Sequence, residues 1–158
     1  MPDARPTNET LLAFDVGARR IGVAVGNDLL REARAVETLH VSDSDDGFDS
    51  VAALVAEWMP QRLVVGIPYS DSDARGRAQA ETESARRCER FAKRLEERFH
   101  LPVERVDERC SSIDAESLHR ERRQAGLSRR AKALDHLAAQ VILQRYFDAL
   151  AARDAHAA

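Results

Sequence analysis

Residues 11–26 read LLAFDVGARRIGVAVG, and this stretch decides the fold of the chain. Its two apolar runs flank a polar turn, a pattern that predicts a β-hairpin. Asp15 ends the first run, where a carboxylate on a core strand needs a compensating partner. Gly17 and Gly22 leave the backbone free to turn and let another group approach closely. The stretch is therefore suited to holding a metal ion or a phosphate, although a simple chain reversal would use the same residues.

The bulk composition is that of an ordinary globular protein. With 158 residues, 44% hydrophobic and 32% charged, the chain can bury one substantial core. It shows neither a signal or transit peptide nor an apolar run near the roughly 20 residues that span a bilayer. Cys88 and Cys110 lie far apart, as is typical of reduced cytosolic thiols. We therefore expect a cytoplasmic protein with a flexible N-terminal segment over residues 1–10, one domain over 11–151 and a tail over 152–158.

The net charge of −3 is unevenly distributed along the chain. Residues 75–130 hold 15 basic and 11 acidic residues, whereas the remainder holds 9 basic and 16 acidic residues. Most of the basic residues are arginines, which suit bidentate phosphate contacts. A solvated surface rich in ion pairs has the same composition, so charge alone leaves nucleic-acid binding open. Four of these arginines fall on the solvent side of a predicted helix: Arg86, Arg87, Arg90 and Arg94.

Periodicity and turn residues predict the element order β-β-β-α-β-α-β-α-α. After the hairpin we expect three further strands, over residues 34–41, 63–67 and 102–106. The first helix should run from Phe48 to about Trp58, and the second should bury the stripe Cys88, Phe91, Leu95 and Phe99. A short helix from about Ser111 to Gly126 and a last helix over about 131–151 complete the order. This order is typical of an α/β fold with a mixed five-stranded sheet flanked by helices, in which parallel strands follow three antiparallel ones.

The strand ends at Asp15, Pro68 and Asp107 would meet at one edge of that sheet, where sites in α/β folds usually lie. Asp107 and Glu108 follow the fifth strand, and alternation directs only one of them to the face of Asp15. The sequence leaves open which one it is.

Asp135, in the last helix, is the further acid of interest. Ala138, Ala139 and Ile142 follow it at helical spacing, so its own face is apolar. A carboxylate on a buried stripe needs a cation, which could be a bound metal or simply Lys132 one turn earlier.

Clustered carboxylates without histidine or cysteine suit Mg²⁺ or Mn²⁺. Two such ions can activate a water and stabilise the leaving oxygen in phosphodiester cleavage. We therefore predict a hydrolase of the two-metal-ion type with the catalytic candidates Asp15, Asp107, Glu108 and Asp135. We assign Asp15, Glu108 and Asp135 as metal ligands, although the sequence does not decide which of Asp107 and Glu108 faces the site.

Four motifs, in the same order and spacing, resemble those of the YqgF (RuvX) proteins, relatives of the RuvC Holliday-junction resolvase. They are DVGARRIGVAV at residues 15–25, VVGIP at 64–68, DER at 107–109 with two serines after it, and KALD at 132–135. The resemblance covers about residues 11–150. Its motif backbone positions are Gly17, Gly22, Gly66 and Pro68.

This resemblance implies an RNase H-like nuclease domain, a cytoplasmic location and a role in maturing the 5′ end of pre-16S rRNA. It carries Asp15, the pair Asp107 and Glu108, and Asp135 over as metal-binding acids. The expected partner is nucleic acid, structured RNA above all, with no membrane, and the protein would be a monomer or homodimer. The basic residues near the motifs are the candidate substrate contacts: Arg19, Arg20, Arg109, Arg122, Arg123, Arg129, Arg130 and Lys132.

Three other interpretations stay open at this point. A Holliday-junction resolvase acting on DNA would use the same acids and would work as a dimer. A non-catalytic RNA-binding scaffold would keep the arginines but would not need Asp135. An actin-like nucleotide-binding domain also begins with Asp-x-Gly on a hairpin, but it normally needs a duplicated domain that 158 residues do not supply.

Overall fold

The computed structural model describes residues 8–68, 83–108 and 129–157, and a five-stranded sheet forms its centre. The strands are β1 (Thr10–Val16), β2 (Arg20–Asn27), β3 (Glu32–His40), β4 (Arg62–Ile67) and β5 (Val103–Asp107). The helices are α1 (Phe48–Trp58), α2 (Glu83–Phe99) and α3 (Arg129–Ala157).

The strands lie in the order β3-β2-β1-β4-β5. β2 is antiparallel to both β1 and β3, whereas β4 is parallel to β1 and β5 is parallel to β4. The predicted mixed α/β sheet, with three antiparallel strands followed by parallel ones, is therefore confirmed. The short helix expected between Ser111 and Gly126 lies outside the described residues, and so do residues 69–82 between β4 and α2.

The first face of the sheet is covered by α1 and α2. Phe91 of α2 packs edge-on against Phe14 of β1, with the ring centroids 5.5 Å apart. Cys88, on the same stripe, is buried, and its Sγ donates a hydrogen bond to the Val16 carbonyl at 3.5 Å. Burial raises the pKa of this thiol to about 12. The stripe expected on α2 is thus buried, apart from Phe99, which is half-buried.

The second face is covered by α3, through Ala139, Ile142, Leu143 and Phe147. A Cβ on Gly26 would fall 2.7 Å from Phe147 Cε2, and one on Gly66 would fall 2.5 Å from Ile142 Cδ1. Gly26 pairs with the start of β1, whereas Gly66 lies near the end of β4. α3 therefore runs from the carboxyl end of β1 back toward its amino end, and its first turns lie near the edge where β1, β4 and β5 end.

α3 is longer than the sequence pattern predicts. It begins at Arg129 and continues to Ala157, so residues 152–157, expected to form a tail, extend the helix. Asp154 in this extension pairs with Arg31 at 2.5 Å, and Gln144 Nε2 donates to the Arg31 carbonyl at 3.0 Å. Periodicity does not reveal such contacts between residues distant in sequence. Although α3 has 29 residues, neither it nor another helix in the described ranges is apolar enough to cross a membrane.

The start of the chain is also held more firmly than expected. The Glu9 backbone N–H donates to Asp28 Oδ1 at 2.7 Å, and the Glu9 carboxylate pairs with Arg62 at 3.0 Å. Residues 8–10 of the predicted flexible segment therefore make defined contacts with the domain. The division into segment, domain and tail otherwise stays a prediction.

Candidate active site

Asp15 lies near the end of β1, on the face covered by α3. Alternation places it with Leu11 and Ala13, which pack against that helix. Gly22 of β2 is in register with Asp15. On the other side Phe14 pairs with Val65 of β4, so Gly66 follows at the level of Asp15. Both neighbouring strands therefore present a glycine beside this carboxylate.

Glu108 directly follows β5 and occupies the space above Gly66. Its carboxyl group is hydrogen-bonded to Asp15. A Cβ built on Gly66 would fall 3.0 Å from Glu108 Cδ and overlap one carboxylate oxygen. A side chain at this position would displace the Glu108 carboxylate. Because Gly66 has no side chain, Glu108 and Asp15 can come into contact.

The environment of Glu108 disfavours its charged form. Burial, and then the negative charge of Asp15, raises the pKa of Glu108 to about 7, and the charge of Asp107 adds to the effect. Near neutral pH the pair therefore needs either a proton or a cation to balance its charge.

Asp107 belongs to the other side of the sheet. It ends β5 in register with Ile67, and alternation groups it with Val103 and Arg105. Arg105 binds Glu89 and Glu96 of α2, at 2.9 Å and 3.0 Å, which marks that side as the α2 face. Of the two acids that the sequence could not separate, Glu108 thus shares the face of Asp15. The catalytic role of Asp107 stays a prediction.

The other predicted site residues are described only in part. The side chains of Arg129, Arg130, Lys132 and Asp135, in the first turns of α3, lie outside the described part of the structure. Arg109, Arg122 and Arg123 lie entirely outside the described residues. Among the side chains that are described, no group of three His, Cys, Asp or Glu residues forms a metal cluster. The structure therefore brings together Asp15 and Glu108 and leaves the third acid, Asp135, a prediction.

The turn after Asp15 carries the first two predicted substrate contacts. The Gly17 N–H donates to the Arg20 carbonyl at 2.8 Å, which closes the turn around the exposed Arg19. Pro68 follows the last residue of β4.

Thr38 is a residue near this edge that the sequence reasoning missed. It pairs with Gly22, so Asp15, Gly22 and Thr38 form one row across three strands. Alternation along β3, where Leu39 joins the core on the opposite face, is the signal that could have identified it.

A mixed sheet of this order, with an acidic pair where β1 and β5 end, defines an RNase H-like domain of the RuvC type. The fold resembles Thermus thermophilus RuvC, solved in complex with a Holliday junction substrate, with a TM-score of 0.52 and 14% identity. That match covers 89% of this chain and 94% of the RuvC chain. The model of the RuvX family, described as Holliday junction resolvase, matches residues 9–149, and the chain belongs to this family.

Two relatives are similar over nearly their whole length. One, from Burkholderia lata, is 46% identical over 156 residues, which are 99% of this chain and 100% of the relative. The other, from Methylobacillus flagellatus, is 43% identical over 155 residues, 96% of this chain and 99% of the relative. Both carry the name "putative pre-16S rRNA nuclease". The resemblance inferred from the four motifs is therefore confirmed.

Proposed function

We propose that this protein is a divalent-metal-dependent endonuclease that cuts RNA and matures the 5′ end of pre-16S rRNA in the bacterial cytoplasm. The observation that carries the proposal is the hydrogen-bonded, half-buried pair of Asp15 and Glu108, which meets across β4 where β1 and β5 end. The names of the two relatives support this choice of substrate.

The donor set fits a hard divalent cation. Carboxylate oxygens are the ligands that Mg²⁺ and Mn²⁺ prefer, and two adjoining carboxylates carry charge that a cation can balance. Gly22 and Gly66 carry no side chains of their own beside Asp15, and Gly66 leaves the place that the Glu108 carboxylate fills. We propose Asp135 as the third ligand, because it precedes the buried Ala139 by four residues and such positions share a helical face.

In the proposed reaction the chain positions the scissile phosphate against this acidic edge. When bound, a pair of Mg²⁺ or Mn²⁺ ions supplies an activated water and stabilises the leaving oxygen. Asp15 and Glu108 are held by the ends of β1 and β5, so their carboxylates need little rearrangement to act as ligands. Arg19 and Arg20, directly after the β1 end, would bind flanking phosphates and orient the strand.

The test is the Asp15→Asn variant in a cleavage assay on pre-16S rRNA with a 5′ extension, with Mg²⁺ or Mn²⁺. We expect cleavage to be lost, because the change keeps the shape of the side chain but removes an anionic ligand. Melting without metal should stay equal or rise, since one member of a repelling pair is neutralised. Asp49→Asn, on the exposed surface of α1, is the matched control and should cleave normally. Cleavage at the wild-type rate by Asp15→Asn would disprove the metal-site proposal.

Resolution of Holliday junctions is the second candidate, favoured by the description of the family model. Symmetric cutting of a four-way DNA junction needs two active sites and hence a dimer. The same assay therefore includes such a junction, and light scattering measures the oligomeric state. Paired, symmetric cuts in the junction by a dimer, without cleavage of the RNA, would support this alternative. Tight RNA binding without cleavage of either substrate would support a scaffold.

A further inference from the structure

A hollow of about 350 Å³ lies just beyond the turn that follows Asp15. Its floor is apolar and includes Ile21, Val41 and Phe91. Val16, Gly17 and Ala18 of the β1–β2 connection form the wall nearest to Asp15. Because Val16 and Ile21 face α2, the hollow opens on the sheet side opposite to the Asp15 carboxylate.

Three arginines of α2 form the rim of the hollow: Arg87, Arg90 and Arg94. Arg94 pairs with Asp46 at 2.5 Å and lies 4.1 Å above the Phe48 ring, so it is held in place. Arg90 is paired with Glu83 at 3.3 Å, with both side chains more than 60% exposed, and such a pair exchanges readily with solvent. Arg87 makes no ion pair with another described residue. Asp46 is the acid among the described lining residues, so the hollow carries a positive excess.

An apolar floor beneath arginine side chains matches the two parts of a nucleotide. A base has a flat face that leaves water for an apolar or guanidinium surface, and its phosphate takes charge-assisted hydrogen bonds from arginine. The volume lies at the small end of the range for ligand sites, which is enough for one base rather than a duplex. A paired base cannot enter such a hollow without leaving its stack.

The distance to the acidic pair is also short. Val16, which lines the hollow, directly follows Asp15 in β1, and the Gly17–Ala18 turn lies between the hollow and the acidic pair. A strand whose phosphate lies at Asp15 and Glu108 can therefore pass around this turn and place a nearby base in the hollow on the other face of the sheet.

We propose that this hollow binds an unpaired nucleotide of the RNA, within a few nucleotides of the phosphate that is cut. The position of this nucleotide relative to the cut rests on the proposed nuclease function. The hollow would then restrict cleavage to single-stranded or splayed sites, because a base held in a duplex cannot occupy it.

The test measures binding of short fluorescein-labelled single-stranded RNA in EDTA, so that the strand stays intact. A single abasic nucleotide is moved along the strand. For the wild type, one position should weaken binding roughly 5- to 150-fold, the range that base stacking produces. In Arg87→Ala and Arg90→Ala that penalty should shrink, and the log–log salt slope should flatten by about 0.7 for each phosphate that the variant no longer binds. Lys93 is an exposed cation on α2 that does not line the hollow. Lys93→Ala is therefore the matched control, and it should keep the wild-type abasic penalty and salt slope.

The outcomes separate this inference from the nuclease proposal. A position-specific abasic penalty that both arginine variants reduce supports the hollow even if no RNA is cut, and the nuclease proposal alone then fails. Cleavage that depends on Asp15, with no sensitive position or with the full penalty kept in both variants, overturns the hollow alone. If the sensitive position lies more than a few nucleotides from the mapped cut, the hollow binds RNA but its assigned position relative to the cut is wrong.

Discussion

Gly66 shapes the acidic edge although it offers no functional group. It adds no side chain beside Asp15, as Gly22 adds none on the other side of β1, and it leaves the place that Glu108 fills. The arrangement of this site depends on the lack of side chains at these two glycines as well as on the acids. Both glycines can therefore be tested by adding a single methyl group.

We expect Gly66→Ala to lower the free energy of unfolding by about 1–3 kcal/mol, because the new Cβ overlaps Glu108 and Ile142 in a packed layer. Cleavage should fall more steeply than stability, since the displaced carboxylate is a proposed ligand. Urea denaturation and the RNA cleavage rate measure the two effects.

The matching control is a double-mutant cycle with Glu108→Ala. Removing the Glu108 carboxylate takes away part of the overlap, so Gly66→Ala should cost less in that background. An identical cost in both backgrounds would mean that Glu108 does not occupy the space above Gly66.

The raised pKa of Glu108 predicts a pH dependence of stability. Its ordinary value is 4.5 and its folded value is about 7, so between these pH values the folded state binds more protons than the unfolded state. The stabilising contribution is therefore fully present below pH 4.5 and is lost as pH rises through about 7. In EDTA, the Glu108→Gln variant should gain roughly 2 kcal/mol relative to the wild type across this window, after allowance for partial exposure.

Denaturant unfolding at a series of pH values measures this difference. Mn²⁺ should reduce it, because a cation stabilises the ionised pair in the wild type. Parallel stability curves for the two proteins in EDTA would contradict the assigned environment of Glu108.

At the scale of the elements, α3 is the helix that runs along the sheet from the carboxyl end of β1 to its amino end. Its last turns are held by the Arg31–Asp154 pair, and its middle packs on β1, β2 and β4. Its first turns carry Lys132 and Asp135 toward the edge where Glu108 lies. The function of this helix can therefore be tested through those first turns without disturbing its packed part.

If Asp135 binds metal, Mn²⁺ should raise the melting temperature of the wild type and should raise it less for Asp135→Asn. A ligand that binds only the folded state stabilises it by mass action. Thermal melts with and without Mn²⁺ measure the shift.

The competing interpretation is an ion pair between Lys132 and Asp135. In that case Lys132→Ala and Asp135→Asn would destabilise the protein equally, and both would keep the full Mn²⁺ shift. That result would remove Asp135 from the site.

Most elements could be predicted from the sequence because their signals are local. The hairpin, the VVGI strand and the α2 stripe follow from apolar periodicity, and the structure confirms them within a few residues. The ends of the domain could not be predicted this way. Asp154 and Glu9 act through Arg31 and Arg62, partners far along the chain, and such contacts leave no periodic pattern.

Part of the acidic site could be predicted from the sequence, because its acids lie at strand ends and side chains alternate between the two faces of a sheet. Alternation showed that Asp107 and Glu108 face opposite sides, but choosing between them needed the register of β5 against β4. The hollow beside α2 could not be foreseen, since its lining combines residues 16–21, Val41 and Asp46 with residues 87–94 of α2, which are far apart in the sequence.

At the scale of the whole molecule, the uneven charge predicts how binding depends on salt. Replacing Arg122, Arg123, Arg129 and Arg130 together by alanine should weaken RNA binding and flatten its log–log salt dependence by about 0.7 for each phosphate that is no longer neutralised. Cleavage at saturating RNA should change far less, because the acids remain. Binding isotherms across a salt series measure the slope.

The comparison protein carries Lys93→Ala and Arg98→Ala on the exposed surface of α2, and its slope should match that of the wild type. If the fourfold variant also keeps the wild-type slope, its basic run is a solvated surface rather than a binding site.

The buried thiol of Cys88 has a practical consequence for spectroscopy. The thiolate is the nucleophile that attacks alkylating reagents, and the buried Cys88 thiol, with a pKa of about 12, supplies almost none of it at neutral pH. The chain has two cysteines, and the other is Cys110. A maleimide dye that enters the native protein at a single position would therefore report from two residues beyond Glu108, without any cysteine being removed by mutagenesis.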